Sequence, residues 1–234
     1  MADFAYASRI AVETSGTTAA PRHPLVVRVI HWIFAISAAC LLISGFAIIL
    51  AHPHFYWGET GGIGAPSLFD LPLPTMLGGP SGWGRYMHFE SAWAAVLAGL
   101  VYVLWGGFSG HFARHLLPSG EELSWASVRA SIVDHLRWKK PTDSRYNVLQ
   151  KLAYLFVIFI IFPLFIDTGF AMSPAITSVF PQFVTMFGGH QTARTLHFFL
   201  SIVLVLFVVI HVGMVILAGS RSRMGAMITG KERV

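Results

Sequence analysis

The chain is poor in cysteine and in charged residues. Cys40 is the only cysteine among 234 residues, so an intrachain disulfide, a cysteine-held iron–sulfur cluster and a multi-thiolate zinc site are excluded. No C-x-x-C-H segment is present, which also excludes covalently attached c-type haem. Charged residues make up 12% of the chain and hydrophobic residues 55%, a balance far from that of a soluble domain. The composition therefore indicates a membrane protein.

Two further features are missing from the sequence. Residues 1–20 lack the apolar core of a secretory signal, and the first apolar run is too long to be one. We therefore expect no cleavage of a signal peptide. The sequence also shows no internal repeat, so a repeat architecture is not expected.

Four apolar runs of roughly 25 residues are each long enough to cross the hydrocarbon core of a bilayer. They predict an all-α integral membrane protein, a four-helix bundle that forms one membrane domain over residues 1–234. The predicted spans cover about residues 25–50, 84–108, 148–172 and 192–217.

The loop between the second and third spans carries a shorter pattern. Its apolar residues recur at helical spacing, at Trp125, Val128, Ile132 and Leu136. Arg129 and Arg137 stand between them, and Pro141 follows. The pattern predicts a short amphipathic helix on the inner leaflet of the membrane, ended by Pro141.

Basic residues are distributed unevenly among the connections. Arg85 and Arg194 flank the two outer connections, whereas the other 14 of 16 lysines and arginines lie in the two tails and in the middle loop with its flanks. By the positive-inside rule, those three segments are cytoplasmic. The sequence predicts a multi-pass protein with both termini in the cytoplasm. These lysines and arginines account for the pI near 9.7, so the high pI does not indicate nucleic-acid binding.

Histidines within the apolar runs are the most informative residues. His197 and His211 are 14 positions apart, so on a helix they share one face and lie about 21 Å apart along the axis. An ionisable ring inside hydrocarbon indicates a functional site with a partner. Helix direction places His88 at the outer depth of His197 and His31 at the inner depth of His211. Depth therefore predicts two pairs.

Two imidazole pairs at opposite depths of a four-helix bundle suit two b-type haems with both axial positions filled. Gly45 is 14 positions after His31 and lies at the outer level, where it leaves room for a porphyrin edge or for a close helix contact. A zinc or copper site fits less well, because no carboxylate or thiolate accompanies the inner pair. A single histidine of this kind is more often simply hydrogen-bonded.

Short motifs surround these histidines, and their order along the chain is informative. They are His23-Pro24, Val27-Arg28 and His31-Trp32, then Gly84-Arg85 and His88-Phe89, then Tyr146-Asn147 and Gln150-Lys151, then Ala193-Arg194, His197-Phe198 and His211. From about residue 21 to residue 230, the chain resembles the bacterial membrane-bound di-haem cytochrome b family. That family includes cytochrome b subunits of Ni,Fe-hydrogenase and thiosulfate reductase and gamma subunits of formate dehydrogenase.

The resemblance implies roles for particular residues. Axial haem ligands would be His31, His88, His197 and His211. A quinone site would lie beside the cytoplasmic haem, near Asn147, Gln150 and Lys151. The family's location implies the bacterial cytoplasmic (inner) membrane.

We expect an iron with histidine on both sides to pass single electrons, because it has no open position for a substrate. The chain would move electrons between the quinone pool and a periplasmic enzyme subunit or electron carrier. Arg28, Arg85 and Arg194 are either partners of haem propionates or ordinary interfacial arginines. Two alternatives remain at this point: a histidine-lined metal or proton transporter, and a haem enzyme that acts alone.

Overall fold

The computed structural model describes residues 23–62, 64–74, 79–137 and 147–230. Its helices, in chain order, are α1 (Leu25–Ala51), α2 (Gly79–Phe108), α3 (Trp125–Leu136), α4 (Val148–Phe156), α5 (Phe162–Met172), α6 (Pro174–Thr177), α7 (Gln182–Met186), α8 (His190–Leu217) and α9 (Ser220–Thr229).

Four segments are long and apolar enough to cross a membrane. They are Leu25–Ala51, Gly82–Phe108, Val148–Met172 and His190–Leu217, and the third comprises α4, a π-helical turn and α5. The predicted all-α membrane bundle with four spans is confirmed. The end of the bundle where α1 ends and α8 begins is called the outer end below, after the predicted topology.

The third span is not a uniform α-helix. A π-helical turn covers Val157–Ile161 and ends two residues before Pro163. This proline has no N–H to donate within the helix. A π-helical turn is one of the irregularities that bend helices and accommodate such a missing bond.

Helices α1 and α2 pack through small side chains. Buried residues recur at every seventh position of α1, at Ile30, Ser37, Ser44 and Ala51. On α2, Gly84, Ala95 and Ala98 are buried. A Cβ added at Gly84 would lie 3.1 Å from Cβ of Ala47, so the backbones approach closely. Small residues at such interfaces are typical of membrane helices.

Helix α8 is packed mainly at its outer end. Its buried residues are Thr192, Ala193 and Thr195, and α5 contributes Thr168 and Ala171 to the same region. The remainder of α8 presents many exposed apolar side chains, as expected for a helix facing lipid.

The connections contain three features relevant to the site. A two-stranded hairpin in the outer loop pairs His54–Phe55 with Phe69–Asp70. The amphipathic helix occurs as α3, whereas Pro141 lies outside the described residues. Helix α9, which the sequence analysis missed, is flanked by Gly219 and Gly230 at positive φ; glycine in this conformation commonly ends helices.

Candidate functional site

The structure brings the four span histidines together as two pairs. At the outer level, the ring centres of His88 and His197 are 6.2 Å apart. At the inner level, those of His31 and His211 are 6.3 Å apart. Helix α8 supplies one ring to each pair, while α2 supplies His88 and α1 supplies His31. These are the pairs that helix direction and depth indicated.

Each outer histidine contacts a buried hydroxyl on a neighbouring helix. The Oγ of Ser44 lies 3.0 Å from Nδ1 of His88, and Oγ1 of Thr168 lies 2.9 Å from Nδ1 of His197. Ser44 and Thr168 are 0% and 1% exposed. Sequence reasoning missed both residues, although a hydroxyl followed by glycine inside an apolar run was a detectable signal.

Aromatic side chains surround the inner pair. Phe207 stacks against His211 with ring centres 5.9 Å apart, and Tyr154 approaches the same ring edge-on. Trp32 packs edge-on against His31. The Nδ1 atom of His31 is buried and has no hydrogen-bond partner within the described part of the chain.

The outer loop packs against the first turns of α8, next to His197. Phe55, only 2% exposed, stacks on Phe69 and packs against Phe198, the residue after His197. Phe55 is therefore buried in an aromatic cluster.

Backbone contacts tie this loop to the start of α8. The hydroxyl of Thr195 donates to the carbonyl of Tyr56 at 2.8 Å, and the amide of Gly58 donates to Oγ1 of Thr192 at 2.7 Å. The guanidinium of Arg194 donates to the carbonyl of His54 and lies over the ring of Tyr56. The loop is therefore fixed to the helix that supplies one ring to each pair.

The three predicted quinone-site residues lie together at the start of α4, and each has a structural partner. The side-chain oxygen of Asn147 accepts from the amides of Leu149 and Gln150, and Gln150 Oε1 accepts from the Asn147 amide. This is a capping box, whose N-x-x-Q spacing was readable in the sequence. Lys151 Nζ lies 2.9 Å from both carboxylate oxygens of Glu122.

The three predicted arginines have different surroundings. Arg28 donates to the carbonyl of Ile228 at 3.0 Å, and Arg194 holds the outer loop. The Nε atoms of Arg28 and Arg194 are buried without a hydrogen-bond partner among the described residues. Arg85 is exposed beside the outer end of α2.

Three ionisable groups outside the spans have a lowered pKa. The hydrogen bond with His54, at 2.7 Å, holds the pKa of Asp70 below its usual value. The hydrogen bond from Lys151 lowers the pKa of Glu122 in the same way. Burial lowers the pKa of His52, and the charges of Arg194 and Arg85 add to the effect. His52 is therefore neutral near pH 7.

The histidine pairs fit axial ligation of haem. With a metal–nitrogen distance of about 2.0 Å, two rings on opposite sides of one ion have centres roughly 6 Å apart, which matches both pairs. At the outer level, Nε2 of His197 is buried and without a partner among the described residues. A Cβ at Gly45 would lie 3.7 Å from His88 and one at Gly169 3.9 Å from His197, so both glycines face the rings.

A metal site built from protein ligands alone fits less well. Within the described residues, no group of three or more His, Cys, Asp or Glu side chains is placed to hold a metal ion. Protein zinc sites use three or four such ligands. Haem needs only two, because the porphyrin supplies the other four nitrogens.

A membrane-spanning bundle with histidines paired across its interior is the architecture of a membrane cytochrome. The chain belongs to the prokaryotic cytochrome b561 family, whose family model matches residues 22–230. It is therefore a b-type cytochrome of a bacterial membrane that takes part in electron transfer. This membership decides against the transporter alternative.

Three named relatives illustrate the similarity. The chain is 33% identical to a protein of Azospira oryzae named as protein-methionine-sulfoxide reductase subunit YedZ1, over 83% of this chain and 90% of the relative. It is 27% identical to a Ni/Fe-hydrogenase B-type cytochrome subunit of Cupriavidus necator, over 87% and 83%. A subunit of the same name from Bradyrhizobium diazoefficiens is 25% identical, over 96% and 92%. No solved structure matches the chain.

Proposed function

We propose that this cytochrome holds two haems b and carries electrons between the quinone pool and a periplasmic redox partner. His88 and His197 would bind the outer haem, and His31 and His211 the inner one. The observation that carries the proposal is the pairing of four rings at 6.2 and 6.3 Å, at two levels of one bundle. Bis-histidine haem supplies one-electron transfer.

Arginines near the two levels complete the cofactor sites. Arg28 lies one turn before His31, and Arg194 one turn before His197. The buried, unpartnered Nε of each is a donor that a haem propionate can accept from, and guanidinium charge offsets a carboxylate. Arg85, one turn before His88, would donate to a propionate of the outer haem from the protein surface.

Quinone would bind beside the inner level, at the start of α4. The helix cap uses the amide oxygens of Asn147 and Gln150, so their NH₂ groups can donate to a quinone oxygen. The Lys151–Glu122 pair joins α4 to the loop before α3 and can pass protons toward water. Both chain termini would lie on this cytoplasmic side.

The outer haem would exchange electrons with a partner protein. Relatives named as subunits of a hydrogenase and of a methionine-sulfoxide reductase support a membrane subunit of an oxidoreductase. The outer loop, fixed to α8, is the surface that such a partner would meet.

Haem stoichiometry tests the two-haem proposal. Purified protein should contain two haems b per chain by pyridine haemochrome assay. One haem or none on well-folded protein would refute it.

The quinone site is tested by Lys151→Met combined with Gln150→Leu. We expect reduction of the inner haem by a quinol analogue to slow at least tenfold while both haem spectra stay intact. Glu122→Gln breaks the ion pair but keeps the ammonium group, so a slower reaction in this variant would assign part of the loss to proton transfer rather than to quinone contact. A double variant that reacts at the wild-type rate would place the site elsewhere.

A further inference from the structure

Two spans each carry a hydroxyl followed by glycine at the outer level. Ser44-Gly45 on α1 faces His88 of α2, and Thr168-Gly169 on α5 faces the His197 ring of α8. In both cases, the hydroxyl lies within 3.0 Å of Nδ1 and the glycine lies against Cε1 of the same ring. The outer level thus repeats one local arrangement, although the sequence shows no internal repeat.

Each hydroxyl also contacts a carbonyl of its own helix. Ser44 Oγ lies 2.7 Å from the carbonyl of Cys40, and Thr168 Oγ1 lies 2.8 Å from the carbonyl of Leu164. A carbonyl only accepts, and a hydroxyl has a single proton to donate. With its proton on this carbonyl, the hydroxyl oxygen accepts from the ring nitrogen that it contacts.

This assignment fixes the tautomer of each outer histidine. Nδ1 carries the proton that it donates to the hydroxyl, and Nε2 keeps its lone pair for a metal. The buried, unpartnered Nε2 of His197 agrees with this arrangement. At the inner level the situation differs, because Nδ1 of His31 has no partner among the described residues.

We propose that Ser44 and Thr168 are positioning residues for the outer haem. They hold His88 and His197 in the ring orientation and tautomer that present Nε2 to the iron, and they raise the basicity of both ligands. The inference rests on the ligand assignment in the proposed function. A more basic ligand favours the oxidised iron, and loss of such an outer contact commonly weakens metal binding 10- to 100-fold.

Thr168 offers a matched pair of substitutions. Thr168→Val keeps the shape and removes the hydroxyl, whereas Thr168→Ser keeps the hydroxyl and removes the methyl group. We expect Thr168→Val to release the outer haem about 10- to 100-fold faster and to raise its midpoint potential, while Thr168→Ser stays near wild type. A tenfold change in the relative stability of the two oxidation states corresponds to about 59 mV for one electron.

Ser44→Ala tests the same role on the other ligand, and the inner haem is an internal control within each variant. Haem transfer to an acceptor globin and a spectroscopic redox titration measure both quantities. Unchanged release and potential of the outer haem in Thr168→Val and Ser44→Ala would overturn the inference alone. An equal effect of Thr168→Ser and Thr168→Val would also overturn it, because packing would then explain the loss. A wild-type chain that lacks the outer haem would overturn the proposed function as well.

Discussion

The outer and inner histidine pairs have the same ring spacing but different surroundings. At the outer level, His88 and His197 are each hydrogen-bonded to a buried hydroxyl. At the inner level, aromatic rings surround His31 and His211, and Nδ1 of His31 has no partner in the described residues. The two pairs therefore have equal ring spacing, but within the described part of the chain only the outer rings are held in place by hydrogen bonds to neighbouring helices.

The packing of the helices explains this difference. Helix α8 is buried only in its first turns, where the outer loop is tied to it. Farther inward, α8 has more exposed side chains, and the span facing it contains a π-helical turn. One helix can therefore carry a closely packed histidine and a less closely packed one two heptads apart, according to what its neighbours provide.

Removing a ligand should have the largest effect and should separate the two levels. His88→Ala and His197→Ala should lose the same haem completely, and His31→Ala and His211→Ala the other, because an axial position is emptied in each case. Redox titration of the four variants measures which component disappears. Loss of one shared component in His88→Ala and His211→Ala would break the pairing.

The comparison also predicts different retention of the two haems in the wild-type protein. The outer haem should leave at least tenfold more slowly, because its ligands have the additional hydrogen bonds. Haem transfer to an acceptor globin in mild detergent, followed at two wavelengths, gives both rates. Equal rates would show that the hydroxyls contribute little to retention.

A smaller, local effect is expected from the outer loop. Arg194→Met should remove the bond to the carbonyl of His54, and a hydrogen bond from a charged group contributes about 1.5 to 3 kcal/mol. Hydrogen exchange over residues 54–58 should accelerate roughly tenfold or more. Arg85→Met is the control, since Arg85 is exposed. Unchanged exchange in Arg194→Met would show that the hairpin is held by its aromatic cluster.

The smallest effect is expected from acid. Asp70 and Glu122 have a lower pKa in the folded state than their usual values of 3.8 and 4.5. The hydrogen bonds to these carboxylates therefore stabilise the fold above those values, and the stabilisation is lost as the pH falls through the lowered pKa. Asp70→Asn and Glu122→Gln should flatten this acid-side slope in thermal unfolding curves. A slope that persists in both variants would assign it to other groups.

Local patterns were sufficient for much of the architecture. Four apolar runs predicted the spans, and the cap at Asn147 and Gln150 had a readable spacing. The C-terminal helix α9 was missed because its composition is polar, although its flanking glycines marked both ends. The ion pair of Lys151 could not be predicted from a local pattern, because its partner Glu122 lies 29 residues away.

The sequence by itself determined the membrane class, the four spans and the position of each histidine along its span, because hydropathy and the helical repeat are local properties of the chain. Only the tertiary structure decided which hydroxyl meets which ring: Ser44 and His88 are 44 residues apart, and Thr168 and His197 are 29 apart. The rotation of one helix against another depends on close packing of small side chains. No single run of the sequence contains that information.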